Sequence, residues 1–147
     1  MLMAAFSGFI ATFGFGILFN IKGYKLVLAG IGGMIGSFVY TLCVDHGCAE
    51  VTALFLSCAS FSLYSEILAR LCHTPVTTFI ICSLIPLVPG KGMYETMKFA
   101  VNGDAIAALS KGIDTLANAG ALALGIMFVS TLMNLFLHHR KRRKPTA

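Results

Sequence analysis

LIPLVPGKGMY, residues 84–94, is the stretch that decides the fold, because it ends an apolar run where a membrane-spanning helix would continue. Pro86 and Pro89 each lack a backbone N–H and clash with the preceding helical turn, and Gly90 follows directly. The apolar run itself, residues 76–88, is about 20 Å long as a helix, whereas the hydrocarbon core of a bilayer is about 30 Å thick. The stretch therefore predicts a helix that breaks before it has crossed a membrane.

The composition of the whole chain indicates an integral membrane protein. Of its 147 residues, 57% are hydrophobic and 12% are charged, whereas a soluble domain carries about 25% charged residues. At about 20 residues per span, the length allows one domain of four or five helices and leaves no room for a soluble catalytic domain. We therefore predict an all-α, polytopic membrane protein with about five transmembrane helices. Its fourth helix is broken, and a short amphipathic segment follows, at the interface or folded back beside the break.

Lysine and arginine are distributed unevenly between the predicted loops, and this sets the expected orientation. The first loop carries two lysines, the third carries Arg70, and the C-terminal tail carries five basic residues, whereas the second loop has none and the fourth mixes three lysines with acids. Because cytoplasmic loops are rich in Lys and Arg, we expect the N-terminus outside and the C-terminus inside a bacterial inner membrane. The domain prediction is a transmembrane module over residues 1–139 and a basic cytoplasmic tail over residues 140–147.

The broken helix is also the strongest candidate for a functional site. Unwound backbone at membrane depth leaves N–H and C=O groups that only protein or a cavity can satisfy, and in transporters such groups contact substrates. Gly90 lets the backbone approach a ligand closely, and Lys91 adds positive charge. The alternative is an ordinary helix end, at which proline and glycine are common.

The third apolar run carries an acid at membrane depth. Cys58, Ser62, Glu66 and Arg70 follow one another at intervals of four residues, so they lie on one face of a helix. Such a face is costly in contact with lipid and is expected to meet protein or a water-filled path. Glu66 could carry a proton or contact a substrate there. The alternative is a structural ion pair with Arg70.

Polar residues precede the last apolar run, residues 113–137, and also lie near its start. Gly103 followed by Asp104 predicts a helix end and then the N-cap of the next helix. Asn118 and Asp114 could line the same cavity as the broken helix, unless Asp114 only complements the dipole of its own helix. Glu50 lies in a polar turn that is more readily explained as a solvated loop than as a pH-sensitive gate.

No enzyme, metal or cofactor site is expected. The five cysteines include no pair with CxxC spacing, and most lie in apolar runs, where cysteine behaves as a small buried hydrophobe. The sequence contains no recognisable nucleophile–base pair or phosphate-binding loop. The basic tail follows an apolar helix and no second basic patch exists, so we expect a lipid bilayer rather than nucleic acid as its surroundings.

Two stretches resemble the small module of the threonine/serine exporter family. They are YSEILARLCHTPVTTFIICSLIPLVPGKGMYETM, residues 64–97, and GDAIAALSKGIDTLANAGALALGI, residues 103–126. The positions that match the family's motif are Pro86, Pro89, Gly90 and Tyr94. In that family a larger and a smaller module are fused in one chain or form two separate membrane proteins. The resemblance implies a larger membrane subunit as partner, and threonine, serine or a dicarboxylate such as succinate as the substrate.

We therefore expect one subunit of a two-component secondary exporter of small polar metabolites, working in a bacterial inner membrane. Two alternatives stay open: a non-transporting accessory subunit that stabilises a partner permease, and a homo-oligomeric channel. The expected substrate path contains the residues of the break and the polar residues of the third and fifth runs, namely Pro86, Pro89, Gly90, Lys91, Tyr94, Glu66, Arg70 and Asn118.

Overall fold

Six α-helices, and no strand, make up the part of the chain that the structure describes. It is a computed structural model, which describes the backbone of residues 2–142 and the side chains of residues 2–136. A short 3-10 turn, Ile85–Leu87, follows the fourth helix. The helices are α1 (Leu2–Leu18), α2 (Tyr24–Asp45), α3 (Glu50–Leu71), α4 (Val76–Leu84), α5 (Gly90–Val101) and α6 (Ala105–Arg142). The predicted all-α class is confirmed over these residues.

Small residues let α1 and α2 pack with their backbones almost in contact. Gly8 of α1 and Gly33 of α2 are both buried. A Cβ added at Gly8 would overlap Ser37, and one added at Gly33 would overlap Thr12. Each would also lie 2.9 Å from the carbonyl oxygen of the other glycine. Close backbone packing of this kind holds helices together in lipid, where burying apolar side chains gains little.

α3 is the central helix of the bundle and packs against α2, α4 and α6. Half of its most apolar window is buried, against 33% and 22% for the corresponding windows of α2 and α6. Its polar side chains bond to neighbouring backbones: the Ser57 hydroxyl donates to the Gly36 carbonyl at 2.7 Å, and the Tyr64 hydroxyl to the Leu28 carbonyl at 3.1 Å. These bonds satisfy polar groups that would be costly in lipid, so α3 can be both polar and buried.

The predicted break of the fourth helix is confirmed, and it lies inside the bundle. The 3-10 turn follows α4, and the axis of α5 is bent by 48° from that of α4 and the turn. Leu87, in the turn, is 7% exposed and packs in a cluster with Phe61 of α3. A Cβ at Gly36, near the middle of α2, would lie 3.0 Å from Leu87 Cδ1. The 3-10 turn therefore packs at the depth of the midpoints of α2 and α3.

The amphipathic segment forms α5, which pairs with the beginning of α6. The modest bend carries α5 onward from α4, so the segment does not fold back beside the broken helix. Gly92 makes room for Thr115 of α6, whose Oγ1 would lie 2.5 Å from a Cβ at that glycine. Between the two helices Gly103 has a φ of +80°, and Asp104 Oδ1 accepts a hydrogen bond from the Ala107 N–H at 3.0 Å. The predicted helix end and N-cap are therefore confirmed, and α6 starts before residue 113 because this cap starts it.

Among the helices described, three are long and apolar enough to cross a membrane: α2, α3 and the Ala105–Phe136 part of α6. The bent pair of α4 and α5 counts as a fourth, and α1 is a shorter apolar helix of 17 residues. The predicted count of about five spans agrees with this arrangement when α1 is included. The division at residues 139 and 140 stays a prediction, because α6 continues to Arg142 and the rest of the tail lies outside the described residues.

Candidate functional site

The break opens onto a polar cleft between the start of α3, the start of α5 and α6, called here the α5–α6 cleft. Its volume is about 320 Å³, within the range of small-molecule sites, about 300–1,000 Å³. Pro89, Lys91 and Gly92 line it from the break, and Asn118 lines it from α6. Five ionisable side chains share the lining: Glu50, Lys91, Glu95, Lys111 and Asp114.

The charges of the α5–α6 cleft are only partly paired. Glu95 lies between two lysines, with Oε1 3.8 Å from Lys91 Nζ and Oε2 3.6 Å from Lys111 Nζ. These are long contacts, and the Lys91 side chain is 89% exposed, so they hold the lysines weakly. Glu50 and Asp114 form no ion pair with any residue from 2 to 136. With three acids and two lysines, the cleft has one excess negative charge.

Asn118 is the most buried polar residue of the α5–α6 cleft. It is 6% exposed, and its amide makes no hydrogen bond within the described part of the chain. Asn118 therefore presents a donor and an acceptor that a ligand in the cleft could use.

The N-terminus of α5 also faces the α5–α6 cleft with uncommitted backbone groups. Pro89 precedes α5 and supplies no side-chain cap. The Gly90 N–H bonds to the Val88 carbonyl at 2.7 Å and the Met93 N–H to the Pro89 carbonyl at 3.2 Å. The N–H groups of Lys91 and Gly92 have no backbone partner among residues 2–142. A helix N-terminus carries a partial positive charge, so this end of α5 favours an anion.

A second polar cleft lies on the other side of the break, between α1, α2 and the unwound segment. Its volume is about 350 Å³, and Pro86, Pro89 and Gly90 line it together with hydroxyl-bearing side chains of α1 and α2. Glu50, Pro89 and Lys91 line both clefts. The break therefore separates two polar spaces. Two larger grooves, of about 470 and 480 Å³, are lined almost entirely by apolar atoms of α3, α5 and α6, as expected of surfaces that meet lipid or another chain.

Glu66 and Arg70 form a separate polar cluster near the other end of α3. Glu66 is 5% exposed, and its Oε2 lies 3.0 Å from Arg70 Nη2. Its other oxygen, Oε1, accepts a hydrogen bond from the Ser130 hydroxyl of α6 at 3.1 Å. Ser62 and Ser65 are fully buried nearby in α3, and their hydroxyls have no partner among the described residues. Along α3 this cluster is about 24 Å from Glu50.

The structure thus brings together five of the eight candidate residues and leaves three elsewhere. Pro86, Pro89, Gly90, Lys91 and Asn118 line the clefts at the break. Glu66 and Arg70 form an ion pair with each other, which is the structural alternative to a role in transport. Tyr94 is 68% exposed on α5 and lines neither cleft.

The sequence did not single out Glu95 or Lys111, although charges are dense between residues 91 and 114. Their role in the α5–α6 cleft depends on the pairing of α5 with α6, which no local pattern shows. Asp114 lines the cleft in the third turn of α6, too far from Ala105 to complement the dipole of that helix. Within the described residues no three His, Cys, Asp or Glu side chains are grouped so as to hold a metal ion.

Comparison with known proteins gives one family and one curated relative. The family model described as "Threonine/Serine exporter, ThrE" matches residues 4–132. A protein named "Threonine/serine exporter" from Corynebacterium glutamicum is 25% identical over 121 residues, which are 82% of this chain and 24% of that relative. The chain therefore matches about a quarter of the relative's length. No solved structure matches the chain.

Proposed function

The chain belongs to the threonine/serine exporter family, and from that premise we propose that it is one subunit of a two-component secondary exporter. The complex would carry a small polar metabolite, threonine, serine or a dicarboxylate such as succinate, across a bacterial inner membrane. The observation that carries this proposal is a helix break inside the bundle with a polar cleft on each side.

The break supports transport rather than simple anchoring. A helix that only anchors a chain gains nothing from unwound backbone at membrane depth, where each unpaired N–H or C=O is costly. In this chain the unwound segment lies between two polar spaces, and Lys91 and Gly92, whose N–H groups have no backbone partner among residues 2–142, line one of them. Broken helices supply substrate-binding backbone groups in this way in secondary transporters.

We assign the proposed substrate path to two levels of the molecule. At the break, Pro86, Pro89 and Gly90 shape the backbone, and Lys91 and Asn118 contact the substrate. Near the opposite end of α3, Glu66 and Arg70 form the inner part of the path or its closure. Tyr94 is exposed, which suits contact with the partner subunit better than contact with the substrate.

The proposed partner is a larger membrane subunit of the same family. About three quarters of the curated relative lies outside the region that this chain matches. Large apolar side chains are also exposed on every helix of the bundle, among them Phe6, Met34, Leu63 and Leu116. Lipid covers such surfaces in part, and a second membrane subunit would cover the rest.

Replacing Pro86 and Pro89 together by alanine tests the role of the break. Alanine allows a continuous helix, which would move the first turn of α5 away from Asn118. We expect export from vesicles that contain both subunits to fall about tenfold, since misplacing a binding group by about 1 Å costs one to two orders of magnitude. Membrane insertion should be unchanged. Pro75→Ala is the matched control, because Pro75 precedes α4 at the opposite end from the clefts. Unchanged export in the double variant would refute the proposed role.

Reconstitution of each subunit alone and of both together tests the two-component arrangement. Export only by the pair supports it. If the larger subunit alone exports at the full rate, this chain is an accessory subunit. If this chain alone conducts, it is a homo-oligomeric channel.

A further inference from the structure

We propose that the end of the bundle opposite the α5–α6 cleft binds the headgroup of an anionic phospholipid. The cleft lies at the start of α3, and this site lies beyond the end of α3. It is formed by Lys22, Lys25 and the first turn of α4, and is called here the lysine patch. The inference does not depend on the export function or on the identity of a substrate.

Two chain segments meet at the lysine patch. Lys22 lies in the α1–α2 turn and Lys25 in the first turn of α2. The Lys25 ammonium donates a hydrogen bond to the hydroxyl of Thr74, in the α3–α4 turn, with Nζ 2.7 Å from Oγ1. The Thr74 hydroxyl donates in turn to the Cys72 carbonyl at 3.0 Å. Because Thr74 directly precedes Pro75, the N-cap of α4, this contact holds a positive charge beside the start of that helix.

The charge of the lysine patch is not compensated within the described residues. No acid occurs in residues 19–25 or 71–78, and Glu66, the acid of α3 nearest to this end, is already paired with Arg70. Neither lysine forms an ion pair with any residue from 2 to 136. Lys25 is only partly exposed, and a partly buried ammonium without a counter-ion is costly. An external anion would remove that cost.

Backbone groups at the start of α4 favour the same kind of ligand. Pro75 provides no side-chain cap, and the N–H groups of Val76 and Thr77 have no backbone partner among residues 2–142. The start of a helix carries a partial positive charge, which suits a phosphate group. Uncapped helix starts are common, but this one lies beside an ammonium group that Thr74 holds in place, so both can contact one phosphate.

Apolar side chains exposed at this end favour a lipid over a soluble anion. Leu18 and Phe19, at the end of α1, are 77% and 55% exposed, and Leu71, at the end of α3, is 71% exposed. A soluble phosphate compound would leave them without a contact, whereas a lipid held by its headgroup has acyl chains beside them. Basic sites at the ends of membrane-spanning helices bind anionic headgroups in this way, and exposed Tyr24 is typical of the same depth.

Quenching of a single tryptophan by brominated lipid tests this site. The chain has no tryptophan, so Phe19→Trp places one reporter at the lysine patch and Val44→Trp places another at the far end of α2. The purified full chain is reconstituted in phosphatidylcholine vesicles, and a rising fraction of the lipid is replaced by brominated phosphatidylglycerol or by brominated phosphatidylcholine. At the Phe19→Trp reporter the anionic lipid should quench at about fivefold lower mole fraction or less, the preference expected of one lysine beside an anionic lipid. At the Val44→Trp reporter the two lipids should quench alike.

Variants in the Phe19→Trp background separate the charge of the lysine patch from its shape. Lys22→Gln/Lys25→Gln should abolish the preference for the anionic lipid, since glutamine can still bond to Thr74 but carries no charge. Lys25→Arg should keep the preference. Lys98→Gln is the matched control, because Lys98 lies in the last turn of α5, at the other end of the bundle. The basic tail is unchanged in every variant, so its own attraction for anionic lipid is constant.

Three results would overturn the inference. Equal quenching by the two lipids at the Phe19→Trp reporter would show that no anionic headgroup is selected there. A preference that persists in the Lys22→Gln/Lys25→Gln variant would assign the selection to other residues. Relief of the quenching by sodium phosphate at constant ionic strength would identify a site for soluble phosphate instead of lipid. Unchanged quenching by brominated phosphatidylcholine establishes that each variant is folded and inserted.

Discussion

At the residue scale, the neighbours of Glu66 explain how an acidic side chain can be buried inside this bundle. A carboxylate in an apolar helix is costly unless opposite charge and hydrogen bonds surround it. Here Arg70, one turn along α3, contacts one oxygen, and Ser130 of α6 donates to the other. The Arg70 side chain is about one third exposed, so it carries its own charge toward water while neutralising the buried acid.

Removing Arg70 should therefore lower the stability of the protein more than removing the charge of Glu66. Arg70→Gln leaves a buried carboxylate with one neutral partner, and we expect a loss of about 1–3 kcal/mol of stability, less than the 3–5 kcal/mol of a fully buried pair because Arg70 is partly exposed. Glu66→Gln keeps the shape and the bond to Ser130 and should cost about 1 kcal/mol or less. The double variant should recover most of the loss. Thermal unfolding in detergent, arranged as a double-mutant cycle, measures this, and equal stability of all three variants would contradict it.

The local spacing of residues predicted part of this cluster but not all of it. Cys58, Ser62, Glu66 and Arg70 share a face because of helical periodicity alone, and three of them are buried on that face. Ser130 could not be predicted, because its bond depends on which part of α6 packs beside Glu66. The same limit applies to the α5–α6 cleft, whose lining comes from three helices and whose acids lie far apart in sequence.

At the element scale, a glycine of α6 allows close packing against α3. This contact, formed by Gly125 of α6 with Phe55 and Cys58 of α3, is called here the seam. Gly125 of α6 faces α3 so closely that a Cβ there would lie 2.9 Å from Cys58 Cβ and 3.1 Å from the Phe55 carbonyl oxygen. One turn further on the N-terminal side, the Cys58 thiol contacts the Leu122 carbonyl, with Sγ 3.1 Å from the oxygen. α6 is bonded to the centre of the bundle there, and it also packs against α5.

Gly125→Leu should separate α6 from α3. The new side chain would collide with the backbone of α3, which cannot change rotamer as a side chain can. Overpacking of this kind lowers the stability by about 1–3 kcal/mol or more. We expect a lower melting temperature and lower export by vesicles that contain both subunits, since Asn118 is carried on the same helix. Gly120→Leu is the matched control, because a Cβ at Gly120 meets nothing within 4 Å. Equal melting temperatures of the two variants would show that the seam tolerates a side chain.

The sequence predicted the break between α4 and α5 better than the start of α6. Prolines act on their own turn, so the position of the break followed from Pro86 and Pro89. The direction of α5 after the break depends on its packing against α6, through Gly92 and Thr115, and no local pattern contains that information. α6 begins before the predicted apolar run because Asp104 caps it, while hydropathy alone marked only its membrane-crossing part.

At the scale of the whole molecule, the alternating course of the helices places the α2–α3 turn and the α5–α6 hairpin on one side and the α3–α4 turn on the other. The predicted orientation puts the first side outside the cell. In that orientation the α5–α6 cleft opens outward and the Glu66 cluster lies toward the cytoplasm.

Two native cysteines report this orientation directly. Cys48 is exposed in the α2–α3 turn, and Cys72 is partly exposed after α3. In variants that keep a single cysteine, a membrane-impermeant maleimide added to spheroplasts should label Cys48, and should label Cys72 only after the membrane is permeabilised. A variant that keeps only the buried Cys82 is the control for access to the protein interior. Labelling of Cys72 alone from outside would reverse the orientation.

The unbroken length of α6 has a mechanical consequence. Asn118 and Ser130 belong to the same helix, about 18 Å apart along its axis, and no proline lies between them. Beside this continuous helix is the broken pair of α4 and α5, whose axes are bent by 48°. A rigid tilt of α6 about its contact with α3 that widens the α5–α6 cleft would move the Ser130 hydroxyl relative to Glu66. A rigid α6 would thus couple the width of the α5–α6 cleft to the surroundings of the Glu66–Arg70 ion pair, without any relay of side chains between them.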